Sequence, residues 1–171
     1  MLFLKKKLPD ISVDELTARK QPIIGLDVGD KAVGISISDT RIRVASPLAT
    51  LARKNIEHDC KKLIEKMDNH NVGLVVFGWP LHMDGTVSHQ CEKILGFIAA
   101  LSEFTNVNFV KWDERFSTSV VDKIMIKADM SRKKRKQVID KIAAVYILQG
   151  AIDFLNRKNS VLIALVFLLT S

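Results

Sequence analysis

Two hydrophobic periods alternate along this chain. Ser12-Val-Asp-Glu15 has the form of a capping box and predicts a short N-terminal helix, closed off by Pro22. The period then changes. Ile23 to Val28 is a short apolar run interrupted by Asp27 and ending at Gly29-Asp30. Val33, Ile35 and Ile37 alternate with Gly34, Ser36 and Ser38, the mark of a half-buried strand. Asp39-Thr-Arg41 is turn-like, and Val44 to Leu51 reads as a third strand. Three short strands with tight links predict an antiparallel meander.

After Arg53 the pattern turns helical. Ile56, Cys60, Leu63, Ile64 and Met67 fall on one face, with Glu57 and Asp59 early and Lys66 late, which suits the helix dipole. Val72 to Phe77 is a continuous apolar strand ending at Gly78. A loop from Gly78 to Ser88 follows, and Cys91, Ile94, Leu95, Ile98 and Leu101 mark a second helix. Val107 to Trp112 predicts a fifth strand, Ser119-Val-Val-Asp122 a cap for a third helix, and about Lys134 to Leu155 a long final helix. A meander followed by α-β-α-β-α defines an α/β protein: a mixed five-stranded sheet with helices packed on it. Neither an internal repeat nor a Gly/Ser-rich linker interrupts it.

Length and composition narrow the class. A chain of 171 residues, 47% apolar and 26% charged, fits one domain with appendages and excludes disordered and low-complexity classes. A domain of this size buries roughly 70% of the surface its unfolded chain exposes and needs no staples. Cys60 and Cys91 sit at helix-period apolar positions and read as core thiols; Cys-x-x-Cys is absent. Met1 to Lys7 places its lysines after a short apolar stub, the wrong order for a signal peptide. The apolar run from Val161 to Leu169 is far short of the ~20 residues that span a bilayer. A cytoplasmic protein without membrane partners is expected. The net charge of +7 points weakly to a polyanionic partner.

Three acidic positions are candidates for chemistry. Asp27 interrupts an apolar strand, costly for a carboxylate unless a cation or donors meet it. Gly25 and Gly29 leave room on its face. Two roles stay open: a turn Asp bonding its own backbone, or a functional acid. Asp113 and Glu114 end the fifth strand and point to opposite faces, so only one joins Asp27; alone, they read as a solvated acidic pair. On the last helix, Asp140 shares a side with Ala143, Ala144, Ile147 and Ala151. A small apolar face lets that helix approach a sheet closely and sets a carboxylate against it, although a first-turn Asp also satisfies the helix dipole. Taken together, hard oxygen ligands of this kind suit Mg²⁺ or Mn²⁺. Two such ions about 4 Å apart can activate water and stabilise the leaving oxygen in phosphodiester cleavage. The run Arg132, Lys133, Lys134, Arg135, Lys136 precedes Asp140 by one turn, where a phosphate backbone would lie, and Lys31 is a second candidate phosphate contact. Trp79 and Trp112 read as core rather than as base-stacking platforms.

Four segments resemble, in order, the motifs of the YqgF/RuvX family of pre-16S rRNA nucleases, also described as Holliday-junction-resolvase-like. They are Ile24-Gly-Leu-Asp-Val-Gly-Asp-Lys-Ala-Val-Gly-Ile-Ser-Ile-Ser-Asp39, Phe77-Gly-Trp-Pro-Leu-His-Met-Asp-Gly-Thr86, Asp113-Glu-Arg-Phe-Ser-Thr118, and the stretch from Ser131 to Gln149. The resemblance covers about Ile23 to Leu155. It implies a ribonuclease-H-like fold over 23–155, with extensions at 1–22 and 156–171. It also implies a metal-dependent nuclease acting at the 5′ end of pre-16S rRNA, free or in an immature ribosomal subunit, as monomer or homodimer. The family's acids would fall on Asp27, on Glu114 or Asp113, and on Asp140, with Glu114 preferred for its reach. Lys31 and Arg115 would hold phosphate, and Met83 to Thr86 would border the substrate. Trp79, Ala32 and Phe116 depart from the family's usual residues without touching the acids.

Other functions compete. A resolvase cutting four-way DNA junctions needs two sites held in a dimer. An actin-like ATPase, suggested by Asp-x-Gly followed by Lys, needs a second domain for which 171 residues leave no space. A basic RNA-binding module with merely structural acids is the non-enzymatic alternative.

Overall fold

The computed structural model describes residues 13–113 and 142–157. Elements follow in the order α1 (Val13–Ala18), β1 (Ile23–Val28), β2 (Ala32–Ser38), β3 (Ala45–Ala52), α2 (Ile56–Asn69), β4 (Leu74–Trp79), α3 (His89–Ser102) and β5 (Asn108–Asp113). Residues 142–157 form the final helix, α4. The predicted helix at Ser119–Asp122 and the first turns expected for the last helix lie outside the described residues.

One mixed sheet has the order β3-β2-β1-β4-β5. β1, β2 and β3 form the expected antiparallel meander, and β4 and β5 add in parallel to β1. Because strand side chains alternate between faces, β1 and β4 each feed two cores. Ile24, Leu26, Val28, Val33, Ile35, Val75, Phe77 and Trp79 face Cys60, Leu63 and Met67 of α2 and Cys91, Ile94, Phe97, Ile98 and Leu101 of α3. On the other face, Ile23, Leu74 and Val76 meet Ile147, Leu148, Ala151 and Ile152 of α4, with Leu16 of α1 beside them. Both cysteines are buried thiols in the first of these cores.

Element boundaries shift where side chains compete for the backbone. The Asp39 carboxylate accepts the N–H groups of Arg43 (2.7 Å) and Val44 (2.9 Å), so the turn runs to Val44 and β3 begins at Ala45. Val72 was expected in β4, but its N–H donates to the Met67 carbonyl at the end of α2, and the strand starts at Leu74. At its far end β4 continues through Trp79, which is registered with Asp113 of β5.

α4 approaches the sheet almost to backbone contact. The Ser36 hydroxyl donates to the Ala144 carbonyl at 2.7 Å and lies 3.3 Å from the Gly25 carbonyl. A Cβ on Gly25 would stand 2.4 Å from Ser36 Oγ, 2.6 Å from Leu148 Cβ and 2.9 Å from the Ala144 oxygen. Further along, Gly150 rests on the Trp112 ring, where a Cβ would come to 3.0 Å. Gln149 fixes the helix laterally: its side-chain oxygen accepts the Ala45 N–H at 2.8 Å, and its amide donates to the Arg43 carbonyl at 3.1 Å. At the C-terminal end Asn156 donates to the Ile42 carbonyl. Gly25→Ala should therefore cost about 1–3 kcal/mol of stability through overpacking. Urea denaturation of the full chain checks this, and an unchanged midpoint would mean that α4 can lift off at no cost.

Candidate active site at the strand ends

Asp27 is half-buried near the C-terminal end of β1, within an otherwise buried strand. On its face of the sheet its antiparallel partner is Gly34, itself paired with Thr50 of β3. On the other side Leu26 pairs with Phe77, so the next step of the register brings Gly78 alongside Asp27. Both flanking strands thus offer glycine where a side chain would crowd the carboxylate. Gly78 is in turn paired with Trp112. The sequence pattern pointed to Gly25 and Gly29 as the source of room; Gly25 instead receives α4, and the lateral clearance comes from Gly34 and Gly78.

α4 runs antiparallel to β1. Ala144 and Leu148 lie over Gly25, while Asn156 reaches Ile42, beyond the start of β1 near Ile23. The N-terminal side of α4 is therefore directed toward the Asp27 end of the strand. Of the stripe that the helical pattern assigns to the sheet-facing side, Ala144, Ile147 and Ala151 are buried and Ala143 is half-buried.

Asp113 is registered with Trp79, whose ring packs edge-on against Phe77 at 6.3 Å in the α2/α3 core. Paired strand residues share a face, so Asp113 projects to the side opposite Asp27. Both acids have interactions of their own. Glu114, Arg115, Asp140 and the basic run Arg132, Lys133, Lys134, Arg135 and Lys136 lie outside the described residues. Lys31 is exposed in the turn between β1 and β2. Trp79 is 7% exposed and carries Lys111 over its ring at 5.4 Å; Trp112 packs against Gly150 and Phe154. Both tryptophans are packing residues, as expected.

The loop after β4 is an ordered hairpin. Leu81 and Val87 form an antiparallel bridge, the His82 N–H donates to the Thr86 carbonyl, and Gly85 takes a positive φ of 86°. Asp84 caps the turn by accepting both the N–H (2.9 Å) and the hydroxyl (2.6 Å) of Thr86, and these bonds hold its carboxyl below the usual range. Met83, at the tip, is 86% exposed. The hairpin rises from the strand end that carries Asp27. A separate cleft, lined by Leu16, Arg19, Gln21, Val72 and Asn108, lies at the opposite end of the sheet.

A group that the helical pattern did not single out lies beneath the β1–β2 turn. Asp59, expected only to serve the α2 dipole, is 1% exposed. It accepts the Lys54 N–H at 3.1 Å and Arg53 Nε at 3.4 Å, and lies 3.2 Å from His58 Nδ1. Burial pushes its carboxyl up, but the Lys54 N–H, His58 and Arg53 together outweigh that and leave it below the ordinary value. The sequence shows an acid in a first turn after an Arg; only the fold shows that the two are paired.

A five-stranded mixed sheet with this strand order, covered by helices on both faces, is a ribonuclease-H-like fold. The chain of T. thermophilus RuvC in complex with a Holliday junction substrate shares it, with a TM-score of 0.55 at 10% identity over 82% of this chain and 96% of that one. A family model described as "RuvX: Holliday junction resolvase" matches residues 21–154. A Clostridium acetobutylicum protein named "Putative pre-16S rRNA nuclease" is 44% identical over 131 residues, 77% of this chain and 97% of that protein. One of the same name from Methylocella silvestris is 41% identical over 150 residues, 86% and 93% of the two chains. The chain belongs to the RuvX family.

The depressed Asp59 carboxyl carries a pH signature. Its stabilisation is fully present above the unfolded Asp pKa of about 3.9 and is lost as pH falls through the lower folded value. The stability gap between wild type and Asp59→Asn, read by urea denaturation, should shrink as pH falls below about 4. A gap that stays constant into acid would contradict the pairing.

Proposed function

We propose that this chain is a divalent-metal-dependent nuclease that processes the 5′ end of pre-16S rRNA, with Asp27, Glu114 and Asp140 as its acids. The observation that carries this reading is Asp27 itself. It is a half-buried carboxylate at a strand end, flanked by Gly34 and Gly78, on the face along which α4 is directed. The names of the curated relatives supply the RNA substrate.

Glu114 is preferred over Asp113 as the second acid because Asp113 shares the face of Trp79. Asp140 is the third; in sequence it precedes α4, whose Ala144 and Leu148 are seated on Gly25 and Ser36. Among the described residues no three His, Cys, Asp or Glu side chains converge; of the three proposed acids, Asp27 alone is within them. Its oxygen chemistry and partial exposure fit Mg²⁺ or Mn²⁺, which keep several waters and accept substrate oxygens as ligands. Such ions supply Lewis acidity and lower the pKa of water. The protein's own part is to fix Asp27 on the backbone of β1, with Glu114 and Asp140 as its partners, and to hold phosphate with Lys31, Arg115 and Arg132 to Lys136.

Asp27→Asn removes one ligand charge with little change in shape. It should lower Mn²⁺- or Mg²⁺-dependent RNA cleavage by more than about 100-fold, the upper end for changes one shell further out, with the thermal midpoint preserved. Cleavage is compared side by side on a structured RNA and a four-way DNA junction. Junction-only cleavage would assign the resolvase activity in the family's description instead. Metal-independent, salt-sensitive RNA binding with no cleavage would leave a binding module. Full activity of Asp27→Asn would sink the site.

A further inference from the structure

The turn that joins β1 to β2 is gripped from below. Arg53 Nη1 donates to the Gly29 carbonyl at 3.3 Å, and the Arg53 main-chain N–H donates to the Lys31 carbonyl at 2.9 Å. The guanidinium lies 4.9 Å over the Phe97 ring and donates through Nε to the buried Asp59. From α3, Gln90 donates to the Val28 carbonyl at 3.1 Å, and Lys93 pairs with Asp30 at 2.9 Å. Within the turn itself, the Gly29 N–H donates to the Ala32 carbonyl.

We propose that Arg53 is a positioning residue: anchored on Asp59, it locks the Gly29–Lys31 turn and so sets where Lys31 stands relative to Asp27. This rests on the nuclease reading above.

The chemistry of the pair favours positioning over bulk stability. An ion pair with one partner buried and the other largely enclosed is weak evidence of stabilisation, because the cost of desolvation offsets the attraction. What an Arg adds is a rigid planar fork whose several N–H groups can meet separate acceptors at fixed angles. Here the fork meets a carbonyl of the turn and a carboxylate at the start of α2, while its face is supported by Phe97. It thereby transmits the fixed position of α2 to a turn that begins two residues after Asp27. Lys31 is held through its carbonyl, which leaves its ammonium free to address phosphate while the chain under it cannot drift. Lys93 and Asp30 are both exposed, so their pair adds little. Arg53, 22% exposed, and the buried Asp59 are the more enclosed part of the clamp.

The test is a double-mutant cycle on the full chain: wild type, Arg53→Gln, Lys31→Ala and the double variant. The readouts are Mn²⁺-dependent cleavage of an end-labelled structured RNA and amide hydrogen exchange. Arg53→Gln should lower kcat/KM roughly tenfold or more, and the double variant should be no worse than Arg53→Gln alone, because Lys31 is already displaced. The amides of Gly29 and Arg53 should exchange faster, while those inside β1 and β4 keep their protection. Arg53→Lys, which keeps the charge but not the fork, should behave like Arg53→Gln; it also replaces that variant should the glutamine fail to fold. Multiplying effects in the cycle, or unchanged exchange at Gly29, overturn the clamp. A wild-type protein that cleaves neither RNA nor junction DNA overturns the nuclease reading instead. The exchange data then still decide whether Arg53 holds the turn.

Discussion

The close seating of α4 on β1 and β2 is the constraint on which the rest of the structure depends. Ordinary side chains hold a helix off the sheet it packs on; here Ala144 and Leu148 come down onto Gly25, and the Ser36 hydroxyl bonds a helix carbonyl directly. That bond is buried, so breaking it leaves both groups without a water partner and is costly. It fixes the depth of α4 and, through Gln149 and Asn156, its direction.

The opposite face of the sheet does different work. α2 and α3 bury the larger apolar side chains, Phe77, Phe97, Leu63 and Met67 among them, and build the principal core. They also reach around the strand ends. Arg53 and Asp59 at the start of α2, with Gln90 and Lys93 in the first turns of α3, meet the backbone and Asp30 where β1 turns into β2. One face therefore sets the helix, and the other steadies the turn. Asp27 stands between the two, on a strand bonded on both sides by neighbours that it does not share with solvent.

Much of this was legible along the chain. The alternation of Val33, Ile35 and Ile37 identified β2, and the continuous run through Phe77 marked a strand buried on both faces. The stripe of Ala144, Ile147 and Ala151 identified the sheet-facing side of the last helix. Asp27 stands out in the sequence because a carboxylate in an apolar run is costly unless donors or a cation meet it. The misplacements were at element ends. Val72 and Val44 are apolar and fit a strand, but a helix-terminal carbonyl and the Asp39 carboxylate take their N–H groups. Local hydrophobicity does not report such competition.

By itself, then, the sequence determined the order and type of the elements, the small-residue stripe and the candidate acids, because each is a property of neighbours within one turn or one strand. Which side chains share a place was decided only by the tertiary structure. Register puts Gly34 and Gly78 beside Asp27 and sends Asp113 to the other face. Burial turns Asp59 from an acid in a first turn into the anchor of Arg53. Ser36 is one of several alternating polar residues until α4 lies on it. Each of these pairings joins residues of different elements or the loops between them, and no local period encodes the distance between them.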